Sequence, residues 1–205
     1  MVELFTVGVA VSVFTIGLNT RHIASSNPLF LIAALYGSVA ILDLLHTLAY
    51  TGMGVFPGRG ADLPTQLLMA ARFLESGSLL AVALVIRKGR APPEGLILAG
   101  YATLTAALIV LIIPLRMFPT MYVPGQGLTL TKVTGEYVIC VIMGLAILAF
   151  WQKREHFSRY NLRFLLAALT ATIASELSFT PYTDVYGLFN FFGHPCTSEK
   201  YLPLQ

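Results

Sequence analysis

The stretch PLFLIAALYGSVAILDLLHTLAY, residues 28–50, decides the fold class of this chain. A helix that crosses a bilayer needs about 20 mainly apolar residues, and this stretch is long enough. Asp43 and His46 interrupt it near its end, one helical turn apart, so a helix places them on the same face. The sequence therefore predicts a membrane-spanning helix that carries an acid and an imidazole side by side.

The composition also indicates an integral membrane protein. Of the 205 residues, 56% are hydrophobic and 11% are charged, whereas an ordinary soluble domain has about 25% charged residues. The two cysteines, Cys140 and Cys196, form no CxxC pair, so neither a disulfide framework nor a thiolate metal site is indicated. The net charge of +3 comes from basic residues in short segments between apolar runs, so no nucleic-acid partner is predicted.

Five further segments resemble the opening stretch in length and apolar character. The six predicted spans are residues 2–19, 28–50, 65–86, 95–118, 133–152 and 161–180. No alternation of polar and apolar residues typical of strands persists along the chain. We therefore expect an all-α fold, an integral membrane bundle of about six transmembrane helices.

The basic residues predict how this bundle is oriented. The first, third and fifth connections hold Arg21, Arg87, Lys88, Arg90, Lys153, Arg154, Arg159 and Arg163. The second and fourth hold only Arg59, Arg116 and Lys132. Because cytoplasmic loops carry an excess of lysine and arginine, the odd connections are predicted to be cytoplasmic and the N-terminus to lie outside.

Ionisable side chains inside the predicted spans all fall in the outer half of the membrane under this orientation. They are Asp43, His46, Arg72, Glu75, Glu136 and Glu176. Such a side chain costs about 2.5–3.5 kcal/mol at the centre of a membrane helix and usually faces the bundle interior. We therefore expect these residues to share one pocket.

Two chemical interpretations of this pocket stay open. In the first, acids and bases pair with one another around a small ligand or water, chiefly Arg72 with Glu75, Asp43 or Glu176. In the second, carboxylates and imidazoles bind a divalent transition metal, with candidate ligands Asp43, His46, Glu75, Glu136, Glu176 and His194. The acid-x-x-His turn is loosely similar to that of di-iron bundles. A haem held by His46 and His194 is the weaker variant of the second interpretation.

Four segments together resemble a known family. They are LDLLHTLAYTGMGVF (42–56), LPTQLLMAARFLES (63–76), GEYVI (135–139) and SELSFTPYTDVYGLFNFFGH (175–194). In this order they look like the membrane-associated sensor domains of the third MASE class, over residues 27–194. The residues of this sequence that carry the motifs are Asp43, His46, Tyr50, Gly52, Arg72, Glu75, Glu136, Glu176, Tyr186, Asn190 and His194.

The resemblance implies a sensory input domain of a bacterial signalling protein, multi-pass in the cytoplasmic (inner) membrane. It implies a cytoplasmic histidine kinase or diguanylate cyclase output in full-length relatives, and a homodimer as the form that drives such outputs. The ligand-binding residues it favours are Asp43, His46, Tyr50, Arg72, Glu75, Glu136, Glu176, Tyr186, Asn190 and His194.

The end of the sequence departs from the family pattern. We expect residues 1–194 to form the sensor domain and PCTSEKYLPLQ, residues 195–205, to be an unrelated or truncated tail. The apolar span that the family places beyond His194 is not seen in this tail, which predicts an outside C-terminus.

A sensor module that binds a small ligand or metal ion is the leading hypothesis, and it assigns no catalytic residues. The alternative is an integral membrane metal-dependent enzyme or redox protein that uses the same pocket. A transporter ranks third, because it would need polar residues on both sides of the midplane.

Overall fold

The computed structural model describes residues 2–21, 27–85, 93–157 and 159–179, and it is 80% helical. The six predicted spans correspond to six helices. These are α1 (Val2–Thr20), α2 (Asn27–Leu48), α3 (Asp62–Val85), α4 (Glu94–Ile112), α5 (Leu130–Gln152) and α6 (Arg159–Phe179). The predicted all-α membrane fold is confirmed.

Five of the helices, α1 to α5, are long and apolar enough to cross a bilayer. Helix α6 has 21 residues, which gives a length of about 30 Å at 1.5 Å per residue. It carries Arg163 and Glu176 within that length, and its described part is not among the five apolar spans.

Helices α2 and α3 form the centre of the bundle. Helix α1 packs chiefly on α2, α4 on α2 and α3, α5 on α3, and α6 on α5. Small buried residues lie at these contacts, among them Ala34, Ala71 and Ala146, and they let helix backbones approach closely in a membrane protein.

The outward faces of the helices are strongly apolar. Phe5, Val141 and Phe164 are 72%, 62% and 75% exposed, which would be unusual on a soluble domain but suits contact with lipid tails. The interior, by contrast, holds buried polar side chains such as Glu75 and Glu136. This distribution of apolar and polar side chains is the one that a bilayer favours.

The helix ends differ from the predicted spans by three residues or more in three places. Helix α3 begins at Asp62 rather than residue 65, and α4 ends at Ile112 rather than residue 118. Helix α5 begins at Leu130 rather than residue 133, because the Thr129 hydroxyl accepts a hydrogen bond from the backbone N–H of Lys132 at 3.3 Å and caps the helix. Lys132 therefore lies in the first turn of α5 and not in a loop.

Two connections cover one end of the bundle. The connection between α2 and α3 contains a 3-10 turn at Thr51–Met53. The connection between α4 and α5 contains an antiparallel pair of short strands, β1 (Tyr122–Val123) and β2 (Gly127–Leu128), with Tyr122 opposite Leu128. The Asp62 carboxylate accepts backbone hydrogen bonds from Met121 at 2.7 Å and Tyr122 at 2.8 Å, so it ties the two connections together.

Candidate functional site

A cavity of about 410 Å³ opens beneath these two connections. It lies where the start of α1, the end of α2, the starts of α3 and α5 and the end of α6 meet. Its lining residues are Glu3, Thr6, Asp43, His46, Thr47, Tyr50, Leu68, Arg72, Leu128, Lys132, Glu136, Ser175 and Glu176. Among the described helices, α4 alone contributes none of them. The end of the bundle that holds the cavity is the end predicted to face outside.

Arg72 is the centre of an ion-pair network that joins α3 to α6. Its Nη1 lies 2.7 Å from Glu75 Oε2, and its Nε lies 3.3 Å from Glu176 Oε1. The Tyr36 hydroxyl donates to Glu75 Oε1 at 3.1 Å, behind the cavity wall. Two of the three predicted partners of Arg72 are thus bonded to it, whereas no ion pair between Arg72 and Asp43 occurs among the described contacts.

His46 is held in a defined orientation. Its Nδ1 lies 2.7 Å from the carbonyl oxygen of Pro64, and since a carbonyl can only accept, Nδ1 carries the proton. The other ring nitrogen, Nε2, then faces the cavity, 3.5 Å from the Tyr50 hydroxyl and 3.8 Å from Glu3 Oε1. The imidazole can therefore accept a hydrogen bond from a ligand when neutral and donate one when protonated.

Tyr50 lies just beyond the end of α2, at the rim of the cavity. Its ring meets that of His46 edge-on, with centroids 5.1 Å apart. Partial burial, a hydrogen bond with Glu3 and the charge of that carboxylate raise the pKa of Tyr50 to about 12. The phenol thus stays protonated at physiological pH, and its O–H is donated to the Glu3 carboxylate.

Lys132 and Glu136 form an ion pair one turn apart on α5, and both side chains are buried. The ammonium bonds Glu136 Oε1, and Glu136 Oε2 has no hydrogen-bond partner among the described residues. Asp43 Oδ1 is likewise buried without a partner in the described part of the chain. A buried acceptor left without a donor costs about 1–3 kcal/mol, and more when it is charged.

The charges that line the cavity do not balance. Four carboxylates, from Glu3, Asp43, Glu136 and Glu176, face two cations, Arg72 and Lys132. With His46 neutral, the formal excess is four minus two, or two negative charges. The cavity is therefore an acidic site inside an apolar bundle.

Six of the predicted site residues line this one cavity: Asp43, His46, Tyr50, Arg72, Glu136 and Glu176. Glu75 lies behind the wall, bonded to Arg72. Gly52 belongs to the 3-10 turn outside the cavity, where it is exposed. Tyr186, Asn190, His194 and the predicted tail 195–205 lie outside the described residues.

The predicted metal site is not assembled by the part of the chain that the structure describes. No group of three or more His, Cys, Asp or Glu side chains there is placed to hold a metal ion. Because His194 is not described, the metal and haem assignments stay predictions.

Sequence reasoning missed two charged lining residues, Glu3 and Lys132. Glu3 lies at the outer end of the first span, at the same membrane depth as the other acids, so it could have been predicted as a site residue from that depth. Lys132 and Glu136 have the i, i+4 spacing of a helical ion pair, but the predicted start of the fifth span left Lys132 in the loop.

The family comparison agrees with the geometry. The family model described as a membrane-associated sensor domain, MASE3, matches residues 1–197, nearly the whole chain and more than the 27–194 over which the motifs predicted it. Comparisons with curated proteins and with solved structures return no match. The chain belongs to the MASE3 family of membrane-associated sensor domains.

Proposed function

We propose that this chain is the sensory input domain of a bacterial inner-membrane signalling protein, and that its polar cavity binds a small ligand from outside the cell. The observation that carries the proposal is the cavity itself: charged side chains from five helices enclose about 410 Å³ at one end of an apolar bundle. Volumes of about 300–1,000 Å³ are typical of small-molecule sites.

The positions of α1 and α6 support a route for the signal. Both helices lie at the edge of the bundle, α1 chiefly against α2 and α6 against α5. Each reaches the cavity with one acid, Glu3 beside His46 and Glu176 bonded to Arg72. A ligand that binds these groups differently in two helix arrangements shifts the balance between the arrangements.

In this proposal, the shift passes to a cytoplasmic output such as a histidine kinase or diguanylate cyclase, in a homodimer. Family membership supports the sensory part of this account. The second candidate function, a metal-dependent enzyme or redox protein, is less favoured. The acids and His46 line an open cavity, and no three His, Cys, Asp or Glu side chains of the described residues are placed to bind one metal ion.

A substitution that fills the cavity with a larger side chain tests the proposal. Leu68 lines the cavity, whereas Leu84 on the same helix is 59% exposed on the outer face. We expect native mass spectrometry of protein released from membranes to show a bound small molecule. Leu68→Trp should lose that molecule, and the matched control Leu84→Trp should retain it. A bound molecule that persists in Leu68→Trp, or none in the wild type, contradicts the proposal.

A further inference from the structure

We propose that the ligand of this cavity is a small organic ammonium ion whose N–H groups are accepted by Asp43 and Glu136. This inference rests on the proposed function, since it names the chemical class of the ligand for the same cavity. It is carried by two unpartnered acceptors, by the charge of the lining and by the spacing of the acids.

Asp43 and Glu136 each present a carboxylate oxygen that lacks a donor. Their residues are only 6% and 3% exposed, and Asp43 Oδ1 and Glu136 Oε2 have no partner among the described residues. Both residues line the same cavity, Asp43 from α2 and Glu136 from α5. An ammonium group offers up to three N–H donors and no acceptor, which is what these two oxygens lack.

The charge of the lining points to a cation. An anionic ligand would add to an existing excess of two negative charges among the lining residues, and a neutral ligand would leave that excess in place. Buried charges of one sign are costly unless they are compensated. A ligand with one or two positive charges compensates them within the cavity.

The spacing of the acids separates an organic cation from a metal ion. A metal ion needs its oxygen and nitrogen ligands gathered within about 2.0–2.6 Å of one point. The described residues provide no such group of three; the lining acids instead come from four different helices around about 410 Å³. An extended organic molecule can meet acceptors that lie apart, and a single ion cannot.

The protein already pairs two of its own cations with acids at this site. The Lys132 ammonium is buried and bonded to Glu136 Oε1, which shows that the site accommodates a primary ammonium beside this carboxylate. Arg72 bonds Glu75 and Glu176 in the same way. Beside these internal cations, Asp43 Oδ1 and Glu136 Oε2 are buried oxygens that lack a donor among the described residues.

The test compares three probes of matched length: diaminobutane, neutral butanediol and dianionic succinate. Titration into protein in lipid nanodiscs, followed by calorimetry and thermal unfolding, should show saturable binding and a raised Tm with diaminobutane alone. Asp43→Asn and Glu136→Gln should each weaken that binding about tenfold or more, since each removes a charge from a buried pair. Glu94→Gln, which removes a half-exposed acid from α4 far along the chain from the lining residues, is the matched control and should leave binding unchanged.

Three results overturn the inference. In the first, Asp43→Asn and Glu136→Gln raise the Tm and diaminobutane does not bind the wild type. That result would mean that the two carboxyl groups of the wild type are neutral acids that bind no cation. Another is that zinc or magnesium chloride raises the Tm in place of diaminobutane and the same variants abolish the effect. The third is that the molecule retained by wild type and lost by Leu68→Trp is neutral or anionic; in that case the proposed function stands and only the ligand class is wrong.

Discussion

At the scale of the residue, Arg72 is the side chain on which the site depends most. It bonds one acid on its own helix, Glu75, and one on α6, Glu176. The guanidinium can do this because its donors form a rigid planar fork, whereas a lysine ammonium is a single compact charge. That Arg72 pairs with an acid could be predicted from the sequence, because an unpaired charge at this depth is too costly, but the choice of Glu75 and Glu176 over the third candidate, Asp43, could not.

Replacement of Arg72 should destabilise the bundle strongly. Arg72→Met leaves Glu75 without its cation, and breaking a buried pair in this way costs about 3–5 kcal/mol; we expect the lower end, because the Arg72 side chain is 20% exposed. Arg72→Lys should recover part of the loss. Reversible unfolding in mixed micelles measures the change, and Arg154→Ala, in the connection before α6, should shift the free energy of unfolding by less than about 1 kcal/mol. Equal effects of Arg72→Met and Arg154→Ala would contradict the network.

Two substitutions of His46 should separate its structural role from its role in ligand binding. An asparagine amide can replace the Nδ1–H bond to the Pro64 carbonyl but cannot reach the cavity as Nε2 does. We expect His46→Asn to keep most of the stability, and His46→Ala to lose about 1–2 kcal/mol with the unpaired carbonyl. Both variants should lose ligand binding in native mass spectrometry. Full binding by His46→Asn would show that Nε2 has no part in the site.

The Tyr50 phenol gives a pH signature of the cavity rim. Burial and Glu3 raise its pKa to about 12, so the wild-type minus Tyr50→Phe absorbance difference should show phenolate only as the pH approaches 12. Glu3→Gln should lower this pKa toward the ordinary value of 10 without reaching it, because burial, the largest single cause, remains. A Tyr50 that ionises near pH 10 in the wild type would place Glu3 and the rest of α1 away from the rim.

At the scale of the element, the start of α5 shows where sequence reasoning succeeded and where it stopped. Hydropathy located the span, because about 20 apolar residues are needed to cross the bilayer. It did not locate the first turn, since that depends on the Thr129 cap and not on apolar character. The three residues gained at this end are what bring Lys132 into the cavity.

The same limit applies to the connections. The Asp62 carboxylate holds the hairpin between α4 and α5 over the cavity through its hydrogen bonds with Met121 and Tyr122. These residues lie 59 and 60 positions from Asp62 in the sequence, so no periodic pattern predicts the contact. Gly135 shows a similar effect within the bundle. A Cβ at Gly135 would lie 2.6 Å from the terminal methyl carbon of Met69, so a larger residue there would force this flexible side chain to shift.

Loss of the Asp62 contact should free the hairpin. In Asp62→Ala, the backbone N–H groups of Met121 and Tyr122 lose their acceptor, and we expect their amide hydrogens to exchange faster with solvent. Asp62→Asn retains a side-chain oxygen and should show a smaller increase. Amides in the middle of α5 serve as the internal reference. Unchanged exchange at Met121 and Tyr122 in Asp62→Ala would mean that other contacts hold the hairpin.

At the scale of the whole molecule, the bundle combines an apolar exterior with an acidic cavity at one end. The number and type of helices could be predicted from the sequence because they depend on long apolar runs. The family could be predicted because it depends on motifs in a fixed order. The convergence of Asp43, Arg72, Glu136 and Glu176 could be predicted only as a shared depth in the membrane. Their actual arrangement depends on the packing of five helices, which sets which acids are paired and which are left open.

The central claim is that occupancy of this cavity moves the helices at the edge of the bundle, and a distance between α1 and α6 tests it most directly. Spin labels at Leu4 and Leu177, both exposed, can be placed in protein whose Cys140 and Cys196 are replaced by serine. Pulsed electron paramagnetic resonance then compares protein stripped by dialysis with protein returned to its co-purified small-molecule fraction. The account predicts a shifted distance distribution on return of that fraction and no shift in Leu68→Trp; an identical distribution with and without the fraction in the wild type would contradict it.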